Sequence, residues 1–250
     1  MIRFLIALFV VAMAAPAAAE KLVSTVSSAQ VSITSSFDGA ALSLFGSIEP
    51  DAAGAEASGP YNVIVVITGP LQDRVTRIKT STWGIWSNTD QVSFQHFPSF
   101  YAVLSSGKLE NIASQLMLDQ FVIPPEDQAR ATAQATGLKA ERFSLELVRL
   151  MTKEGHFVVR DDAVNFLSNN AYAVNLQLPS DVVNGRFLVR TLVLKDQALV
   201  AERTESFAVR KSGFENYVFV ASRQQPLLYG IVCVLLALGT GWLAGVVFKR

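Results

Sequence analysis

Two histidines, His96 and His156, are the only imidazoles in the 250 residues, so any histidine-based chemistry would have to run through them. A zinc or copper site draws three or four ligands from His, Cys and carboxylate side chains held close together. No His-x-x-His or Asp-x-Asp-Gly pattern occurs, and the single cysteine, Cys233, sits inside an apolar run. Serine is plentiful but never lies in a Gly-x-Ser-x-Gly setting, so a Ser–His–Asp triad has candidate members and no recognisable framework. The acid pairs Glu126-Asp127 and Asp161-Asp162 occupy helix-start and turn-like contexts, where carboxylates cap helices or face water. The sequence predicts no catalytic residue, no metal ligand and no cofactor.

Other side chains promise contact rather than reaction. Trp83, Trp86, Phe94, Phe97, Phe100 and Tyr101 place six aromatics within 19 residues. They could line a ligand pocket, form a partner surface or fill a core, and core is the leading reading because aromatics supply much of the buried area in such domains. Phe97-Pro-Ser-Phe-Tyr101 reads as a loop, where aromatics have less reason to be buried. If exposed, they would make an apolar patch. Trp83, Trp86, Phe97, Phe100 and Tyr101 are therefore the candidate partner or ligand surface. Near the other end of the chain, Gly241-Trp-Leu-Ala-Gly245 sets two glycines one helical turn apart, a spacing that lets another membrane helix approach closely.

The elements that would position these groups follow from periodicity. Val31 to Phe37 alternates apolar and polar over most of its length, Asp38-Gly39 signals a turn, and Ala41 to Ile48 resumes as a strand. Residues 49–60 lack periodicity and read as an exposed loop. Tyr61 to Thr68 is a continuous apolar run suited to a central strand. Val75 to Thr80, Trp83 to Trp86 and Val92 to Phe97 read as shorter strands or strand edges. A helical stretch is expected over about 105–155, with its clearest helix at 138–153 through Ala140, Phe143, Leu147 and Leu150 or Met151, ending at Gly155. Strand patterns return at Phe157, Asn165–Leu167, Ala171–Leu178, Arg186–Leu194 and Ala198–Val209. The expected fold is mainly β, an immunoglobulin-like sandwich with a helical insertion. Two small β units flanking a helical bridge is the alternative.

Both ends of the chain address location. Leu227 to Phe248 contains 22 residues without a charge. As a helix it would be about 33 Å long, enough to cross a hydrocarbon core of about 30 Å. Met1-Ile2-Arg3, the apolar run Phe4–Ala14, Pro16 and Ala17-Ala18-Ala19 follow the pattern of a signal peptide over residues 1–19. Residues 20–225 would then lie in the periplasm of a bacterium, with 227–248 in the inner membrane and Lys249-Arg250 at its cytoplasmic face. A chain stopping at Arg250 would leave no cytosolic signalling domain. Setting aside Arg3, Lys249 and Arg250 leaves 18 basic residues against 21 acidic, so no basic stripe invites nucleic acid. Since Cys233 lies in the anchor, the outer domain would be held by its core without a disulfide.

Several segments carry a family likeness. Val31-Ser-Ile-Thr-Ser-Ser-Phe, Leu44-Phe-Gly-Ser-Ile, Trp83-Gly-Ile-Trp-Ser-Asn, Pro98-Ser-Phe, Lys211-Ser-Gly-Phe-Glu, Leu228-Tyr-Gly and Thr240-Gly-Trp-Leu-Ala resemble landmarks of the alphaproteobacterial putative transmembrane protein family. The resemblance implies a periplasmic domain on one C-terminal anchor and supplies no catalytic residues. It also implies a genomic association with permeases resembling sulfite and organosulfonate exporters. The expectation is therefore a non-enzymatic accessory or interaction protein of the bilayer, partnered with a multi-pass permease. The alternative is a periplasmic solute-binding or sensing domain that uses the aromatics at 83–101.

Overall fold

A computed structural model describes residues 21–34, 38–49, 59–212 and 214–248. The expected signal peptide, most of the expected loop at 49–60, the end of the Val31–Phe37 strand and the Lys249-Arg250 terminus lie outside the described residues.

Alternation builds the first sheet. In β3 (Ala40–Glu49), Leu42, Leu44, Gly46 and Ile48 face inward, and in β10 (Ala171–Leu178), Tyr172, Val174, Leu176 and Leu178 do the same. These two strands pair antiparallel, flanked by β1 (Lys21–Val26) and β9 (Val164–Phe166), in the order β1-β3-β10-β9. Gly46 stands directly opposite Tyr172. A Cβ at 46 would lie 2.3 Å from the tyrosine ring and hydroxyl, so the ring occupies the space that glycine leaves.

The second sheet has the order β2-β12-β11-β4-β7-β8, formed by β2 (Gln30–Ile33), β12 (Ala198–Lys211), β11 (Gly185–Lys195), β4 (Asn62–Thr68), β7 (Tyr101–Ser105) and β8 (Phe157–Arg160). The β12–β2 and β7–β8 pairs are parallel and the rest antiparallel. Its centre explains the unbroken apolar run of β4. Val63, Val65 and Ile67 point into a core shared with the first sheet, while Ile64 and Val66 point into a second core on the opposite face. A strand buried on both faces has no polar side to display.

Helices cover that opposite face: α1 (Leu109–Ile112), α2 (Gln115–Gln120), α3 (Pro125–Thr132) and α4 (Gly137–Lys153). Helix α4 buries Ala140, Phe143, Leu147, Val148 and Met151, leaving Leu150 partly outside, and Gly155 follows its end with φ 78°. The fold is mainly β, two sheets packed on one core, and the helical insertion between β7 and β8 adds a third layer. The arrangement of two small β units does not occur, because strands from before and after the helices interleave in both sheets.

One expectation is corrected, and two elements are added to those read from periodicity. Val75–Thr80, Trp83–Trp86 and Val92–Phe97 are not separate short strands. They belong to one long ribbon, β5 (Leu71–Thr82) with β6 (Ile85–Pro98). Strand β1 is not delimited by alternation, because its inward set is Leu22, Ser24 and Val26, with a serine interrupting the apolar face. A helix α5 (Phe214–Gln224) also precedes the long apolar helix α6 (Pro226–Val247).

Candidate functional site

The residues with the chemistry to react lie apart. Nε2 of His156 is 3.2 Å from Oδ2 of Asp181, an imidazole–carboxylate pair, and among the described hydrogen bonds no serine hydroxyl joins it. His96 is exposed with φ 54°, and its backbone N–H donates to Oδ1 of Asp73 at 3.1 Å. This marks a β-bulge. Phe97 pairs with Gln72 and Phe94 with Arg74, so two residues of β6 oppose one of β5. Strict alternation would send Phe94 and Phe97 to opposite faces, whereas the bulge turns both rings inward. Asp127 pairs with Arg130 at 2.8 Å on α3, and Oδ1 of Asp161 accepts from Ser105 at 3.3 Å in the turn after β8. Among the described residues no three His, Cys, Asp or Glu side chains gather as metal ligands.

The aromatic group is divided by a single long hairpin. Strands β4 and β5 run in series and pair with β6 and β7 in series. Thr68 stands opposite Tyr101, the Gly69 N–H donates to the Phe100 carbonyl at 2.8 Å, the Ser99 N–H donates to the Pro70 carbonyl at 2.9 Å, and Leu71 stands opposite Pro98. The basal half is the centre of the second sheet. The distal half, β5–β6, leaves that sheet and becomes a two-stranded ribbon.

Phe97, Phe100 and Tyr101 belong to the buried part of this hairpin and cannot serve as a partner or ligand surface. Their exposures are 0–1%. Phe97 stacks on Phe157 with ring centres 5.3 Å apart, and Phe100 tilts against Phe187 in the sandwich core. The Tyr101 hydroxyl donates to the Ile123 carbonyl at 2.9 Å. Burial pushes its pKa well above the usual tyrosine range, and nearby Arg190 offsets only part of this. The supposed loop around Phe97–Tyr101 is instead a tight strand junction beneath the helical layer. Sequence gives no sign of that cover.

Trp83 and Trp86 have the opposite fate. Thr82 pairs with Ile85, leaving Trp83-Gly84 as a two-residue turn with φ 55° and 80°, the signs of a type I′ hairpin. Trp83 is 97% exposed, Ile85 70% and Trp86 71%. The ribbon is steadied nearer its base by Val92 and Phe94 in the second core, and by an ion pair between Asp90 and Lys139 of α4. That hydrogen-bonded lysine holds the Asp90 carboxyl below its usual range.

No described cavity is lined by the aromatics at 83–101. A cavity of ≈ 10 Å³ lies inside the sandwich among Leu44, Val65 and Phe207, and an open groove runs beside Arg186, Arg210, Lys211 and Phe219. A solute-binding reading needs a concave cavity beside the aromatics, and none of the cavities described among these residues is lined by them.

Helix α6 is long and apolar enough to span a membrane, and none of its residues is buried against the rest of the protein. Apart from the backbone of their own helix and their chain neighbours, Gly241 and Gly245 have no described atom within 4 Å of where a Cβ would stand. Tyr229, Cys233 and Trp242 lie on the same open helix.

The profile of an alphaproteobacterial family described as putative transmembrane protein matches residues 21–250. No curated protein matches the sequence. With almost the whole length covered, the chain belongs to that family.

Proposed function

We propose, starting from this family membership, that the protein is a non-enzymatic accessory or interaction subunit that joins another membrane protein through its anchor. The observation that carries the reading is α6 itself, a membrane-length helix with no residue buried in its own chain. A tether needs only length and hydrophobicity. This helix also carries Gly241 and Gly245 on one face, where a neighbouring helix can come close enough for backbone packing. A multi-pass permease of the inner membrane is the partner in this reading. The signal-peptide pattern at the N-terminus supports a periplasmic position for residues 20–225.

Co-purification in mild detergent tests the idea. The double substitution Gly241→Ile with Gly245→Ile fills the face with branched side chains and is expected to remove the partner from the purified complex. A complex that survives this change at unchanged expression refutes pairing through the glycine face.

A further inference from the structure

We propose that the tip of the β5–β6 ribbon is a second membrane contact, in which Trp83, Ile85 and Trp86 enter the interfacial layer of the bilayer that holds α6. This inference concerns lipid and stands apart from helix pairing at Gly241 and Gly245.

The turn provides the first argument. A type I′ hairpin favours Asn, Asp or Gly at both central positions, since both need positive φ. Gly84 obeys that preference and Trp83, at φ 55°, does not. Bulky residues are uncommon in that conformation. Turn geometry therefore does not account for the indole, and with 97% of it exposed, neither does packing.

The shape and chemistry of the tip favour lipid over a protein groove. Ile85 and Trp86 are consecutive on a strand, so they point to opposite faces of the ribbon, with Trp83 at its end. A convex tip that is apolar on both faces suits an enveloping medium better than a one-sided groove. Tryptophan is enriched at the boundary between headgroups and acyl chains. The ten residues Thr80–Thr89 carry no charge, and their hydroxyls and amide suit the headgroup layer. Behind the tip on β5 stand Lys79 and Arg77, suitably placed for lipid phosphates, while Asp90 is already occupied by Lys139.

Topology brings the tip within reach. Thr68, the last residue of β4, stands opposite Leu188, and Val209 near the end of β12 stands opposite Gly185. Pro70 abuts Gly185 so closely that a Cβ there would lie 2.4 Å from it. The ribbon therefore leaves the sheet at the same end from which β12 continues toward α5 and the anchor. The 12 residues of β5 reach about 40 Å and the 11 residues of α5 about 16 Å, so the ribbon is long enough for the distance that α5 spans. Because α6 already holds the domain at the bilayer, the tip meets lipid at a high effective concentration.

The test uses the full chain with Trp242→Phe, which leaves Trp83 and Trp86 as the only tryptophans. It is reconstituted into vesicles of phosphatidylethanolamine and phosphatidylglycerol. The expected result is blue-shifted emission, with roughly half or more quenched by lipids brominated near the headgroup and little quenched by aqueous iodide. Emission that stays water-like and iodide-sensitive overturns the proposal. So does emission that is blue-shifted yet indifferent to brominated lipid, which would indicate a protein contact or a second copy of this chain. Should Trp242→Phe disturb the anchor, a Trp83→Cys, Cys233→Ser chain carrying an environment-sensitive label reads the same position and is held to the same outcomes.

Discussion

The two halves of the long hairpin are continuous with each other and end in opposite environments. In the basal half, β4 and β7 are buried on both faces, one by the first sheet and the other by α1–α4. In the distal half, the same strands, continued as β5 and β6, run past the edge of those layers. Beyond Asp90, β6 carries exposed side chains from Thr89 back to Ile85, and Trp83 in the turn is exposed as well. Charge already marks the difference, since β4 and β7 carry none while β5 carries Asp73, Arg74, Arg77 and Lys79 and β6 carries Asp90. Charge does not tell which aromatics of β6 are covered. The separation comes from what lies above and below each one.

That contrast can be broken by mutation, starting at the buried half. Phe97→Ala removes a fully buried ring stacked on Phe157 and is expected to cost about 3–5 kcal/mol, read as a fall in urea midpoint for the full chain in detergent. A loss below about 1 kcal/mol would mean that the ring is not in a packed core.

The next effect is smaller and depends on pH. Burial pushes the Tyr172 phenol up to about 12, so the folded chain keeps its proton after the unfolded chain has begun to lose one near the ordinary tyrosine value of 10.0. A raised pKa gives stability that is full below the unfolded value and falls as pH rises through the folded one. Between about pH 10 and 12 the loss attributable to this residue is roughly 2–3 kcal/mol, and Tyr172→Phe should flatten that part of the pH–melting curve. An unchanged alkaline slope in Tyr172→Phe would count against a buried phenol.

The smallest effect belongs to the tip. Trp83→Ser combined with Trp86→Ser should leave the urea midpoint within about 0.5 kcal/mol of the parent, because neither indole is packed in the fold. A large destabilisation would show that the tip contributes to the core after all, and would erase the contrast between the halves.

Much of the architecture is legible in the sequence because it follows from local periodicity. The strand at Ala171–Leu178 coincides with β10, and the helix read at 138–153 differs from α4 by one residue at its start. The ribbon was harder to read. The bulge at His96 shifts the register of β6, so the alternation that should identify a 14-residue strand breaks within it. The Trp83-Gly84 turn was hidden by its first residue, since a tryptophan is not a turn signal. Serine in the inward face of β1 concealed the opening strand in a similar way.

The amino-acid sequence alone specifies the anchor, because 22 uncharged residues need no partner to be read as a membrane helix. It also specifies which faces of the regular strands turn inward, because a side-chain period of two is a property of the backbone. Which aromatics are core and which are surface depends on the tertiary packing. Trp86 and Phe97 lie eleven residues apart on one strand, at 71% and 0% exposure. Burial depends on the layers stacked over a side chain, and those layers come from distant parts of the chain.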